Sequence, residues 1–352
     1  MKNMKKLNCA KSVLFLCIAG KKYGYGHLVR CKSLAEHAKI FGLDVHFLIF
    51  TDQPKIRFLE DYNDKHKDIN VLKNNPDIDK MNISLFDIII VDISHEIIFE
   101  NVLNSQKWLK YFGSRCEKLI AIDSVNDQSI YKSFDNVLFH LIIVPYVVES
   151  ELYEESSKIL VGETYSILSP KFLKIENGYN FNSNRIKILI SCGGSDPKNY
   201  TKNILESLEN YESKLFVNII IGPLFNKKLK NHILNYNKIS KNNVSYVDSP
   251  NSIFEYIQGC DIAIGTSGLS KYEFACLGKP SILVSIDQFH VEANKPFVSK
   301  GYSFEIKNTI NRNDMHNKLK KISLNYKEIS LKARSSIDGK GGQRIINRIL
   351  DL

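Results

Sequence analysis

The sequence predicts an α/β protein made of two doubly wound nucleotide-fold domains facing each other across a cleft. Apolar runs such as Ile88-Ile89-Ile90-Val91 alternate with amphipathic stretches, as parallel strands buried on both faces do. Two glycine-punctuated strand-to-helix turns lie far apart in the chain. Gly24-Tyr25-Gly26-His27-Leu28-Val29-Arg30-Cys31 follows the apolar run 13–18, and Gly265-Thr266-Ser267-Gly268-Leu269-Ser270-Lys271-Tyr272-Glu273 follows Asp261-Ile262-Ala263-Ile264. Such turns are where α/β proteins place an anionic or reactive ligand. The length of 352 residues fits two domains at roughly 100–200 residues each.

The elements follow in order. Strand 12–18 leads into a helix from about 27 to 41, whose Leu28, Cys31, Leu34, Ala35 and Ala38 share one face. Strands 45–50 and 86–91, a helix near 97–110, and strands 118–122 and 138–143 complete the first half. The asparagine-rich stretch 174–185 has little apolar pattern and reads as the join. The expected division is an N-terminal domain at 1–175, a linker at 176–185 and a C-terminal domain with its terminal helix at 186–352. In that second half, strand 186–191 leads into Cys192-Gly193-Gly194-Ser195-Asp196-Pro197 and a helix near 200–209. Strands 215–221, 244–247, 261–264 and 281–285 alternate with helices 251–257, 270–277 and 291–299, and the tail from Arg312 is helical.

Composition narrows the function classes. A hydrophobic fraction of 43% is enough for buried cores. The net charge of +10 suits an anionic partner, but its lysines are spread over stretches such as Asn226-Lys227-Lys228-Leu229-Lys230-Asn231, which read as solvated helix faces. No aromatic-interleaved basic motif argues for nucleic acid. Seven cysteines, an odd number without C-x-x-C spacing, point to a reduced, cytoplasmic chain. Lys2, Lys5, Lys6 and Lys11 ahead of an apolar run imitate a secretory leader. That run is short, lacks a small-x-small cleavage site and enters the glycine turn, so it reads as the first strand.

The chemistry-bearing residues cluster at the turns. His27 stands at a helix start, where the positive helix end favours neutral imidazole able to accept a proton; the plainer alternative is a capping or packing histidine. Gly24 and Gly26 allow a tight turn and leave room for a substrate near the main chain. Cys31, at i+4 from His27, lies on the apolar stripe and reads as core. Gly193, Gly194 and Ser195 offer backbone N–H groups to phosphate, as does the turn through Gly268, Leu269 and Ser270. Glu273, about a turn further on, suits a ribose diol; the alternative is a solvent-facing first-turn glutamate. Asp77-Ile78-Asp79 resembles a metal-binding D-x-D but lies in a loop-like stretch, so no metal and no cofactor are expected.

These segments resemble the GT-B UDP-sugar hydrolases of pseudaminic acid biosynthesis, which act on UDP-2,4-diacetamido-2,4,6-trideoxy-β-L-altropyranose and are related to the transferases that build the peptidoglycan lipid precursor. The resemblance rests on the turn 24–31, Gly162-Glu163-Thr164-Tyr165 with Phe172, the segment 190–197, Ile221-Gly222-Pro223 and the segment 265–280. It implies the GT-B fold and a His27-activated water that releases UDP with inversion. It also implies Gly24, Tyr25, Gly26, Arg30, Asp92 and Tyr165 on the sugar side. Gly193, Gly194, Ser195, Gly268, Leu269, Ser270, Glu273 and Gln288 would then be around UDP. The chain departs from the family at Leu16 and Ile18, where an arginine and an acid are usual. It departs again at Asp92-Ile93-Ser94, in place of Asp-x-Tyr, and at Asp123-Ser124, in place of paired aspartates. An inverting transferase at a membrane surface and a non-catalytic nucleotide-sugar-binding protein stand as the alternatives.

Overall fold

The computed structural model describes residues 10–20, 24–51, 69–72, 82–93, 102–123, 138–148, 158–173, 181–236, 238–285 and 287–352. They form two compact units, Met1–Pro145 with Glu155–Leu160 and Gly342–Leu352, and Tyr146–Glu154 with Val161–Gly341.

The first unit is organised on β1 (Ser12–Ala19), α1 (Gly26–Ile40), β2 (Asp44–Thr51), β3 (Ile69–Leu72), β4 (Phe86–Asp92), α2 (Val102–Gly113), β5 (Cys116–Ile122), β6 (Leu141–Val144) and β7 (Ile159–Val161). The sheet order is β3-β2-β1-β4-β5-β6-β7, and every pairing from β3 to β6 is parallel. Seven of the eight residues of β1 are buried, as expected of a strand with helices on both faces. The α1 stripe read from the sequence is the buried one, with Leu28, Cys31, Leu34, Ala35 and Ala38 all inaccessible. The helix ends where Gly42 takes φ +79°, a left-handed turn that glycine adopts at little cost.

The second unit contains β8 (Arg185–Ser191), α3 (Tyr200–Ser207), β9 (Lys214–Ile221), α4 (Lys227–Tyr236), β10 (Asn243–Asp248), α5 (Phe254–Gly259), β11 (Ile262–Gly265), α6 (Ser270–Cys276), β12 (Ser281–Ser285), α7 (Gln288–Ser299), β13 (Ser303–Lys307) and α8 (Arg312–Ser336), which kinks at Asn325. Its sheet, β10-β9-β8-β11-β12-β13, is parallel throughout. Ile186, Ile188 and Ile190 of β8 pack with Ile262 and Ile264 of β11 and with Met315, Leu319 and Ile322 of α8. In each sheet the chain builds outward on one side of its first strand and then jumps to the other side. That reversal leaves a crevice at the carboxyl ends of β1 and β4, and another at those of β8 and β11.

The domain boundaries differ from those expected. The last helix, α9 (Gly341–Leu350), enters the first unit at Gly342. It buries Ile345, Ile346 and Ile349, and Lys118 Nζ donates to the Ile349 carbonyl at 3.2 Å. Residues 161–175 were expected in the N-terminal domain, yet the chain from Val161 belongs to the second unit. Phe172 packs edge-on against Phe254 at 5.0 Å, and Glu163 takes hydrogen bonds from Lys300 and from Tyr302 Oη at 3.2 Å. The edge strands β3, β7 and β13 went unread, because short edge strands carry too few apolar residues to show a period.

Candidate functional site

The first unit brings two groups of one helix turn onto a carboxylate more than sixty residues away at its crevice. His27 is the second residue of α1, and Asp92 is the last residue of β4, in register with Cys17 of the neighbouring β1. His27 Nδ1 lies 2.7 Å from Asp92 Oδ1. Arg30, one helical turn beyond His27, donates Nε to Asp92 Oδ2 at 2.7 Å and Nη2 to Oδ1. Cys31 Sγ approaches Oδ2 at 3.5 Å. Asp92 is fully buried, while the His27 side chain keeps 18% of its surface exposed. Accessible histidine thus rests on an inaccessible carboxylate.

The electrostatics fix the roles. Burial alone would raise the Asp92 pKa, but the Arg30 charge and His27 together hold it well below the ordinary carboxylate value. An ionised carboxylate only accepts, so Nδ1 of His27 carries the proton and neutral His27 keeps its lone pair on Nε2. The 3.4 Å approach of Arg30 Nη2 to Nδ1 is then a close contact between two donors and not a hydrogen bond. Burial pushes the Cys31 thiol well above its usual value, which leaves it an inert core group.

Three of the residues expected on the sugar side take defined places. Arg30 and Asp92, expected against a sugar, are buried and turned on each other, so their contacts support His27. Tyr165, expected on the same side, lies in a short 3₁₀ turn of the second unit. Around the glycine turn, Gly20 and Gly24 exchange two backbone hydrogen bonds of 2.9 and 2.8 Å, and Gly24 takes φ +73°. Tyr25 is the N-cap residue without a side-chain cap, and the space beside Gly24 and Gly26 is open. Ser94, Ser124, Asp77 and Asp79 lie outside the described residues.

The second unit joins the other two turns at its own crevice, where Ser191 of β8 pairs with Gly265 of β11. A Cβ on Gly222 would fall 2.4 Å from the Gly194 carbonyl and 2.5 Å from that of Gly193. Leu224 N donates to Gly194 O at 2.9 Å, so the β9 turn braces the β8 turn. Asp196 is buried and accepts from the amides of Tyr200 and Thr201 at 2.7 and 2.9 Å, which starts α3. Gly193 and Gly268 are exposed, and the space beside each is open; Ser195, Leu269 and Ser270 are half-buried. Glu273 is half-buried, not solvent-facing, and burial pushes its carboxyl up to about 7. Gln288 is exposed at the start of α7 and donates to Glu292 at 3.0 Å.

Two features escaped the sequence reading. Asp287 caps α7 through the His290 amide at 2.9 Å and accepts Lys198 Nζ at 2.7 Å, which ties the loop after β8 to the loop after β12. That lysine, followed by the His290 amide, holds the Asp287 carboxyl down at about 2. The spacing Asp287-x-x-His290 is a capping signal the sequence does carry. Lys271 is a buried ammonium on α6; its only sequence sign is a lysine three residues before Phe274 on a helix buried nearly all round. Among the described residues no group of three His, Cys, Asp or Glu could hold a metal ion, and no helix is long and apolar enough to cross a membrane.

Two Rossmann-like units of this construction define the GT-B fold. No protein-family model matches the chain. It is 25% identical over 295 residues to an uncharacterized protein of Methanocaldococcus jannaschii, covering 79% of this chain and 56% of that one. It is 24% identical over 305 residues to the spore coat polysaccharide biosynthesis protein SpsG of Bacillus subtilis, covering 82% and 81%. The chain therefore spans about half the length of the archaeal relative. Among solved structures, the calicheamicin glycosyltransferase CalG4 matches with a TM-score of 0.62 at 11% identity, over 97% of this chain and 98% of that one. The Neisseria meningitidis UDP-GlcNAc 2-epimerase bound to UDP-GlcNAc matches with a TM-score of 0.56 at 16% identity, over 97% and 100%.

Proposed function

We propose that the protein acts on a nucleotide-linked sugar, and specifically that it hydrolyses a UDP-linked amino or deoxy sugar in nonulosonic (pseudaminic-type) acid or surface-glycan biosynthesis. The observation that carries this reading is the His27–Asp92–Arg30 constellation at the carboxyl ends of β1 and β4. Water attacks the anomeric carbon while Nε2 of His27 takes its proton. The bond from that carbon to the diphosphate oxygen breaks, and its electron pair leaves with UDP. Asp92 holds the ring tautomer and stabilises the imidazolium, and Arg30 keeps Asp92 ionised and aimed. In the second unit, backbone donors at Gly193, Gly194 and Ser195 and at Gly268, Leu269 and Ser270 receive the diphosphate. Glu273 takes the ribose, and Gln288 lies beside the nucleotide. The UDP-GlcNAc bound to the Neisseria epimerase and the polysaccharide role in the SpsG name support a UDP-sugar substrate.

Hydrolysis in ¹⁸O-water without acceptor tests the reaction. Attack at carbon puts the label on the free sugar and none on UDP. Label on the UDP phosphate means attack at phosphorus and overturns the mechanism. An inverting transferase is the second reading, favoured by the departures at Leu16, Ile18, Ser94 and Ser124 and by the shared fold of CalG4. It is identified by UDP release that starts only when a sugar or lipid acceptor is added.

A further inference from the structure

The second unit buries a charge that the mechanism above leaves unused. Lys271, one residue beyond the turn Gly265–Ser270, is only 1% exposed. Its Nζ donates to the Ala293 carbonyl at 2.6 Å and to Asn294 Oδ1 at 3.2 Å, both on α7. Asn294 in turn donates to Oγ of Ser285, the last residue of β12, at 2.8 Å. The rings of Tyr272 and Phe297 stand 5.6 and 5.3 Å from Nζ. The Lys271 amine therefore spans from α6 to α7 at the carboxyl edge of the sheet, among carbonyl dipoles and ring faces. Lys271 has no ion pair among the described residues. The charge acting on it from a neighbouring element is Glu305 of β13, itself shared with Lys307 at 3.4 Å. Glu273 is the one acid of α6, and α7 turns neutral groups toward the Lys271 amine, Ala293, Asn294 and Phe297.

Lost hydration draws the Lys271 pKa down to about 7 against the pull of Glu305. Both protonation states are then populated near neutrality. An anion seated at the adjacent turn acts on Nζ by Coulomb attraction, taken at a separation of roughly 10 Å. At an effective dielectric of about 20, each of its charges favours the ammonium by roughly 1.7 kcal/mol, more than one pKa unit.

We propose that Lys271 is a positioning residue whose protonation is coupled to nucleotide binding. A diphosphate at the Gly265–Ser270 turn draws a solvent proton onto Nζ, and the ammonium then clamps α6 to α7 through Ala293 and Asn294. This coupling rests on the nucleotide reading above and adds its regulation: affinity falls as pH rises from about 7 to 9, where the bound state alone keeps the proton.

Calorimetry with UDP-GlcNAc at pH 7.5, in two buffers of different ionisation enthalpy, counts the protons taken up. This diphosphate diester has no group of its own titrating near neutrality. The wild type is expected to take up roughly half a proton more than Lys271→Met, a difference in which any proton released by Glu273 cancels. Lys271→Arg, charged at every pH, should lose the uptake and keep its affinity at pH 9. A purely structural lysine would leave the proton count the same in wild type and Lys271→Met, and that result overturns the proposal. If the methionine variant does not fold, lysine ¹³Cε NMR of the wild type decides. A Lys271 resonance charged throughout pH 6–9 without ligand overturns the coupling, and one that titrates near 7 and shifts upward with UDP-GlcNAc supports it. Absence of any binding heat in the wild type would instead sink the nucleotide reading itself, and the coupling with it.

Discussion

At the scale of single residues, Asp92 has the greatest number of consequences. Removing its charge while keeping its shape, as Asp92→Asn does, leaves Arg30 an acceptor but frees the His27 tautomer. The expected loss is ~10²–10⁴-fold in kcat with little change in UDP affinity. His27→Asn should cost a similar factor, and retention of half the wild-type rate by either variant would remove the pair from the mechanism. Asp92→Ala is a different experiment. It leaves the buried Arg30 guanidinium unpaired, and about 3–5 kcal/mol of stability should go with it, read from denaturant midpoints. The depressed Asp92 pKa means that its contribution is complete above the unfolded value near 4 and is lost as pH falls below it. Glu273 runs the opposite way. Its raised pKa means the folded state holds a proton that the unfolded chain has released, so stability declines as pH climbs from about 4.5 through 7. Glu273→Gln should therefore raise Tm at pH 8 and not at pH 4, by a few degrees. Glu273→Ala should weaken UDP ten- to a hundred-fold, about 1.5–3 kcal/mol, by calorimetry. Unchanged affinity would reduce this glutamate to a residue of the α6 core.

At the scale of elements, the turns act through backbone contact. Gly222 touches the carbonyls of Gly193 and Gly194 so closely that one methyl group must displace the β8 turn. Gly222→Ala is expected to lower UDP affinity by more than its loss of stability explains, because the displaced segment is the proposed phosphate cradle. Equal UDP affinity in this variant would separate the turn from the nucleotide. The turn at Gly24 behaves otherwise: a side chain there finds open space but must adopt φ +73°, so substitution strains the backbone without crowding it. The sequence marks Gly24 as a tight-turn residue and Gly222 as a glycine at a strand end. Only the structure separates the two causes.

At the scale of the whole molecule, the C-terminal helix belongs to the unit that carries His27. Its three buried isoleucines, at roughly 1.5–3 kcal/mol each, are a large share of a domain's net stability. Deleting residues 342–352 is expected to unfold the first unit at temperatures where the second still binds UDP. Hydrogen exchange would show this as lost protection in β1 and β4 with β8 and β11 unchanged. Coincident loss in both units would mean that they unfold as one.

The sequence by itself determined most of the strands, the helix faces and the turns, because burial on both faces and the 3.6-residue period are local properties of the chain. Ile88–Val91, the α1 stripe and the glycine turns were legible on those grounds, as was His27 at a helix start. The partners of His27 were not. Asp92 lies 65 residues away and reads as a strand end followed by a loop; it meets His27 only because β4 pairs with β1 beyond the switch point. Lys271 looks like one more surface lysine in a basic chain until β12, α6 and α7 close around it. The division into units likewise followed the contacts of α9 and of residues 161–173, which tertiary packing sets and chain order does not. Strand pairing and burial are long-range, and they decided which charges lost their water and which found a partner.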